Sequence, residues 1–382
     1  MKRWGIMVGS VLAAGVLGLG WVPARLAETA ASAGAPRAGW EAGIPPQAPA
    51  AVGSENTWRF GVVAPLGVAG HEAQLDDLKA GAYLDFGRSL SPARPGGIEY
   101  IQVLRVRDDV YPDVLSELSG LVAANPGAYW EVGNEPDTSY ESQDDLTPET
   151  YADRFYAIGT QIRSLDSTAR IGFGTVVQAT PIRLRYLERA WQRLILLAGS
   201  QAAASGLIDF WNVHAFILNE WPGEAGTGVP PGFICESAGQ GRCWDDLPVP
   251  VPDCDTNPGQ CRLPVHYTAY PFNETHDNAI LEARVVALRQ WMGSIGEQGK
   301  PLWITEYGSL FPPIDPPGGF PDYVNVSDSE TARFMTQSGV PARRGAPGRA
   351  KGPVAVRVFG EGSRRLSTNG QVWGERGLRC RS

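Results

Sequence analysis

Several common chemical signatures are missing from this 382-residue chain. There is no G-x-S-x-G elbow, so the strained turn that presents a nucleophilic serine is not encoded. No H-E-x-x-H sets two histidines on one helix face, and no glycine loop of the phosphate-cradling type occurs. Basic stripes are missing as well. With 33 Lys+Arg against 41 Asp+Glu the net charge is −8, a poor counter-surface for phosphate backbones, and nucleic acid is not an expected partner. Cysteine is scarce, and no C-x-x-C pair occurs among the five. Cys235, Cys243, Cys254 and Cys261 fall in one short segment with no histidine at zinc-ligand spacing, so no metal and no cofactor is expected. Two disulfides stapling one loop is the reading, with all three pairings open.

What is present begins with an export pattern. Lys2-Arg3 precede an apolar run from Trp4 to Val22, followed by Pro23 and the small residues Ala30 to Ala33. Positive end, hydrophobic middle and A-x-A site make 1–33 a signal peptide, or an uncleaved N-terminal anchor, since the run is nearly long enough to span a bilayer. Residues 34–56, rich in Ala, Pro and Gly without an apolar period, read as a flexible linker. The product is expected outside the cytoplasm, as a monomer.

From there the chain alternates. Apolar runs at Arg59–Ala64, Tyr83–Phe86, Tyr100–Val106, Trp130–Asn134, Arg170–Val177, Ile208–Phe216 and Leu302–Gly308 read as strands. Helical patterns fall at Glu72–Lys79, Pro112–Ala124, Thr147–Leu165, Pro181–Ala198 and Ala279–Ile295. Thr147-Pro148-Glu149 supplies an N-cap, a first-position proline and an early acid. Leu281, Val285, Leu288, Met292 and Ile295 make one apolar face. Between strands two and three lie Ser, Pro and paired Gly, so no helix is expected there. Gly172 and Gly174 fall short of a dinucleotide fingerprint because the third glycine is missing. Strand–helix alternation over 57–337, a span long enough for a (β/α)8 TIM barrel, predicts an α/β fold. The connection 217–276 is far longer than such turns need and is expected to wall the cleft. Trp221, Trp244, Tyr267 and Tyr270 within it are candidates for stacking on a ligand in that cleft.

Three strand ends carry polar chemistry. Trp130-Glu131-Val132-Gly133 breaks into Asn134-Glu135-Pro136-Asp137, the sixth strand brings His214 near its end, and Leu302-Trp303-Ile304-Thr305 runs into Glu306-Tyr307-Gly308. A carboxylate at the C-terminal tip of a parallel strand lies where barrel enzymes keep their chemistry. This set resembles the clan of retaining glycoside hydrolases built on TIM barrels, and its wording is most similar to the glucanase-type families. The resemblance spans roughly Trp58 to Gln337. It implies Glu135 as acid/base, Glu306 as nucleophile, Asn134 as donor to the sugar's 2-hydroxyl, and His214 as holder of the nucleophile or of an inner-subsite sugar. It also implies an arginine beside Glu306, for which Arg105 and Arg107 are the candidates. By alternation Tyr307 faces away from the lumen and stays outside the catalytic set. The activity so implied is double-displacement cleavage of a β-linked polysaccharide or oligosaccharide, with a non-catalytic carbohydrate-binding barrel as the alternative.

The end of the chain departs from the pattern. Ser327-Asp328-Ser329-Glu330 is a capping box that opens a seventh helix. After Gln337 the acids thin out and Arg and Gly dominate, so 338–382 reads as an atypical basic tail, either genuine or the product of a shifted reading frame. Strand eight is therefore expected to be atypical or missing, with Val354–Phe359 as the one segment able to fill it. The clan's aromatic platform on that strand has no visible equivalent, which puts activity in doubt if the tail replaces a native end.

Overall fold

The structure, a computed structural model, describes residues 60–65, 67–78, 80–139, 143–220, 227–235, 241–246, 265–266 and 277–307, with 356–361 as backbone. Eight parallel strands close into a ring in the order β1 (Phe60–Val63), β2 (Ala82–Leu84), β3 (Glu99–Leu104), β4 (Tyr129–Val132), β5 (Arg170–Val176), β6 (Phe210–His214), β10 (Leu302–Tyr307) and β11 (Val356–Glu361). The helices α1 (Glu72–Leu78), α2 (Tyr111–Ala124), α3 (Pro148–Leu165), α4 (Pro181–Ala198), α5 (Gln201–Leu207) and α6 (Asn278–Ser294) follow the chain order expected of a barrel. The eighth position is filled, not missing: β11 pairs with β10 on one side and β1 on the other, which removes both sheet edges. The helix expected from the 327–330 capping box lies outside the described residues.

Alternation sorts side chains into two layers. Leu104, Trp130, Val132, Ile171, Phe173, Trp211, Val213 and Ile304 face outward and pack against Tyr151, Phe155, Ile158, Tyr186 and Trp191 of α3 and α4. Each fully buried apolar side chain there contributes about 1.5–3 kcal/mol. The inward face holds Val63, Leu84, Ile101, Val103, Tyr129, Phe210 and Trp303. Phe210 and Trp303 stack with centroids 3.9 Å apart, and Tyr129 lies 5.0 Å from Trp303. This aromatic plug is the floor on which the site is built.

Gly172 and Gly174 are explained by that floor. A Cβ on Gly172 would stand 2.3 Å from Phe210 Cε2, and one on Gly174, at φ +129°, would stand 2.2 Å from the Asn212 carbonyl oxygen. Neither contact is tolerable, so both glycines exist for close approach between β5 and β6. Gly174→Ala is expected to cost about 3 kcal/mol through combined strain and overlap, measured as a lower denaturant midpoint at unchanged slope.

Other elements match or depart from the sequence reading for local reasons. Thr147 caps α3 by accepting from Thr150 N at 3.3 Å, with Pro148 as the first helical residue. A single 3-10 turn at Pro95–Gly97 is the only helical feature described between β2 and β3. Strand two ends earlier than expected, at Leu84, because Asp85 Oδ1 accepts from Gly87 N and Phe86 takes φ +63°. Helix α5 was not legible; Ser200 starts it by accepting from Ala203 N. On α6 the expected apolar face is interrupted by buried Arg284, which donates to Gln178 Oε1 at 2.7 Å. The described part of the long connection includes a three-stranded antiparallel sheet of β7 (Phe233–Cys235), β8 (Arg242–Asp245) and β9 (Val265–His266). Cys235 and Cys243, directly opposite in register, form a disulfide; Cys254 and Cys261 lie outside the described residues. Arg185 fastens this sheet to α4 through Asp245 at 2.7 Å. Among the described residues no helix is long and apolar enough to cross a membrane.

Candidate active site

The site sits where β4, β6 and β10 end. Beyond Val132 the chain turns on Gly133, whose φ of +91° and missing Cβ let Tyr151 and Thr175 close over it. Asn134 N donates to Asp144 Oδ2 at 2.7 Å, and Glu135 N donates to Thr175 O at 3.0 Å. These bonds hold Glu135 at φ +46°, a left-handed conformation that costs a glutamate about 1–3 kcal/mol. The surroundings fix the backbone there, and the carboxyl turns into the lumen.

On β10 the register slips between Ile304 and Glu306, so that Glu306 pairs with His214. The bulge lets Glu306 face the lumen directly after inward Thr305, while Tyr307 packs in the outer layer with Ile304 and Val213. Ala215 N donates to Glu306 O at 2.8 Å and locks the offset. The expectation that Tyr307 turns outward agrees with this packing.

His214 joins the two acids. Its Nδ1 lies 2.9 Å from Glu135 Oε1 and its Nε2 lies 3.0 Å from Glu306 Oε1, with Glu131 Oε1 at 3.9 Å from the same Nε2. The Glu306 contact is close but off the hydrogen-bond direction, so it acts through charge. Burial works against a charge on the ring, yet Glu306, Glu131 and Glu135 together lift the imidazole well above its ordinary range. A raised folded value stabilises fully below the unfolded value of about 6.5 and is lost as pH rises through the folded one. The unfolding free energies of wild type and His214→Gln should therefore converge as pH climbs above neutrality, as read from denaturant titrations at stepped pH.

The other predicted residues divide. Asn134 Nδ2 donates to Gln143 Oε1 at 2.7 Å, while its buried Oδ1 has no partner, so the free group beside Glu135 is an acceptor for a hydroxyl. Arg105 Nε donates to Asp144 Oδ1 at 2.8 Å, and Arg107 meets Asp109 at 2.8 Å. Arg105 thus shares Asp144 with the backbone of Val106 and Asn134, one step from the site. Trp221, Tyr267 and Tyr270 lie outside the described residues. Trp244 is on β8 beneath the guanidinium of Arg242, 5.9 Å from its ring centre.

Three functional positions escaped the sequence reading. Glu131 is one: strict alternation along Tyr129–Val132 puts it on the inward face with Tyr129, a signal available and unused. Asp144 is the second. The third is a clamp around Arg183, which donates to Asp137 O and Oδ2, to Glu220 Oε1 at 2.7 Å, to Thr227 Oγ1 at 2.6 Å and to Gly228 O at 2.8 Å. Burial opposes its charge, and the Asp137 and Glu220 carboxylates more than restore it.

Glu135, His214 and Glu306 each offer one ligand atom within 4.8 Å of the others, a spacing compatible with a divalent cation. The ring turns a different nitrogen to each acid, however, so the two carboxylates meet the imidazole from separate sides instead of converging with one nitrogen on a point. The arrangement suits a protonated bridge better than a ligand set.

No family model and no curated protein matches the sequence. Among solved structures the chain is similar to a monomeric beta-xylosidase from Caulobacter crescentus CB15, at 12% identity over 80% of this chain and 60% of that one, TM-score 0.45. It is also similar to a GH128 (subgroup VII) oligosaccharide-binding protein from Cryptococcus neoformans, at 14% identity over 81% and 86%, TM-score 0.42. A GH39 enzyme from Xanthomonas axonopodis pv. citri matches at 13% identity over 68% and 53%, TM-score 0.39. The chain spans 60% of the length of the xylosidase and 53% of the GH39 enzyme. Each is a likeness of fold.

Proposed function

We propose that the chain is a retaining glycoside hydrolase that cleaves a β-linked saccharide, with Glu135 as acid/base and Glu306 as nucleophile. The observation that carries this is the approach of the two carboxyls to within 4.8 Å at the mouth of one barrel, on either side of one imidazole. Retaining enzymes hold their carboxyls about 5–5.5 Å apart, whereas inverting ones leave about 6.5–9.5 Å for a water.

In the proposed cycle Glu306 attacks the anomeric carbon as an anion while Glu135 gives its proton to the leaving oxygen. Water, deprotonated by Glu135, then releases the sugar from Glu306. The Asn134 Oδ1 is placed to accept from a hydroxyl next to the reacting carbon, a contact that strengthens as the ring flattens. The N-terminal export pattern and the Cys235–Cys243 disulfide support action outside the cytoplasm. The test is hydrolysis of a panel of β-glucans, xylans, mannans and aryl β-glycosides by the full chain. Turnover lost on Glu135→Gln and on Glu306→Gln is the expected result. Saccharide binding with no turnover in wild type would instead assign a non-catalytic binding barrel.

A further inference from the structure

We propose that Glu131 is a positioning residue that keeps the His214 ring doubly protonated between Glu135 and Glu306. In its catalytic consequence this rests on the glycosidase reading; as a statement about His214 it stands alone.

Glu131 is fully buried in the middle of β4, and neither of its carboxyl oxygens has a hydrogen-bond partner. A buried carboxylate without a partner costs several kcal/mol unless a cation faces it. The cation it faces is the imidazole, 3.9 Å from Oε1. The groups around that ring are Glu131 and Glu135 from the β4 side and Glu306 from β10, while Phe216 meets it edge-on at 6.1 Å. On the β5 side Thr175 O accepts from Glu135 N, and Tyr151 of α3 donates to Val132 O, one residue from Glu131. On the inward face of neighbouring strands Asn212 and Thr305 hold buried polar atoms that also have no partner. Glu131 thus belongs to a buried polar layer between the aromatic plug and the two reacting acids.

The role is one of proton supply. Glu135 and His214 Nδ1 share one hydrogen bond of 2.9 Å, so whether the pair holds one proton or two decides whether Glu135 can give one up. A negative charge behind Nε2 keeps the ring charged and the pair fully loaded at higher pH. Without it, the pair would shed its second proton earlier and the acid step would fail at lower pH.

The experiment compares wild type, Glu131→Gln and Glu131→Asp as full chains, with ring-nitrogen NMR of labelled histidine assigned by loss of the signal in His214→Gln. In wild type the His214 ring should stay charged well past neutral pH. In Glu131→Gln its titration should move down by about one unit or more, while Glu131→Asp should stay closer to wild type. The basic limb of the kcat/KM profile should move the same way, with matching thermal unfolding showing that the fold is intact. A wild-type His214 that titrates near 6.5 overturns the proposal even if neither variant folds. Identical His214 titration in wild type and Glu131→Gln overturns it as well. A shifted titration in a protein that hydrolyses no saccharide would retire the glycosidase reading and leave this one standing.

Discussion

Glutamine at position 306 should lower kcat on any accepted glycoside by about 10⁵-fold, equivalent to about 7 kcal/mol of transition-state stabilisation. The carboxylate is asked to supply both the covalent bond and the negative charge facing the developing oxocarbenium, and an amide supplies neither. Glutamine keeps the size and the hydrogen-bonding capacity of the side chain, and its removal of charge leaves the bulge at Ile304–Glu306 undisturbed. Folding is therefore expected to survive, and the rate loss reads chemistry. Glu135→Gln should behave differently. General acid catalysis contributes about 10²–10⁴-fold, and the loss should shrink for aryl glycosides whose leaving group departs without a proton. If both variants lose the same factor on alkyl and aryl substrates alike, the division of roles is wrong. If neither loses activity, the site is elsewhere.

The stereochemistry of the first-formed product offers a check that no rate can give. Carboxyl oxygens within 4.8 Å leave no room for a water between Glu306 and the sugar, so the anomeric configuration should be kept, as followed by proton NMR in the first minutes of turnover. A product of inverted configuration would require the two acids to separate by several ångströms in the complex.

How much of this was legible beforehand depends on how local the cause is. The strands announced themselves because both faces are covered, and α3 did because Thr147, Pro148 and Glu149 act within one turn. Glu135, His214 and Glu306 were visible because each ends an apolar run, and parallel strands bring their ends to one rim. The bulge that pairs Glu306 with His214 was not visible: it arises from register between β6 and β10, set 92 residues apart in the chain, from 214 to 306. Arg105 and Arg107 were both candidates for a place beside Glu306, and the Arg105 contact with Asp144 depends on a loop whose path no spacing encodes. Gly172 and Gly174 fit no ligand motif in the sequence, and their cause is the Phe210 ring and the Asn212 carbonyl of the next strand. Arg183 and Arg284 are buried because their acceptors, Glu220 and Gln178 among them, come from segments far away in sequence, which helix spacing does not encode.

Arg183 carries the second large expectation. Its guanidinium joins the chain after β4 at Asp137, the segment after β6 at Glu220, and the stretch at Thr227–Gly228, and no part of it is exposed. Replacement by Met keeps the apolar stem but strands two buried carboxylates, a break that typically costs about 3–5 kcal/mol. For a domain of this size that should lower Tm by roughly 10 °C. The loss should also depend on pH with a defined sign. Burial already favours the neutral form of Asp137 against the pull of Arg183, so without the cation its folded value lies further above the unfolded one and the variant gains stability as pH falls through it. The gap between wild type and Arg183→Met should therefore narrow on acidification, and Glu220→Gln added to the variant should recover part of it at neutral pH. Since Asp137 stands two residues from Glu135 and its Oδ1 also accepts from Val177 N, loosening the clamp should reduce turnover at temperatures where the variant remains folded. A gap that widens as the pH is lowered would mean that Arg183 stabilises the mouth through its packing and not through these two acids.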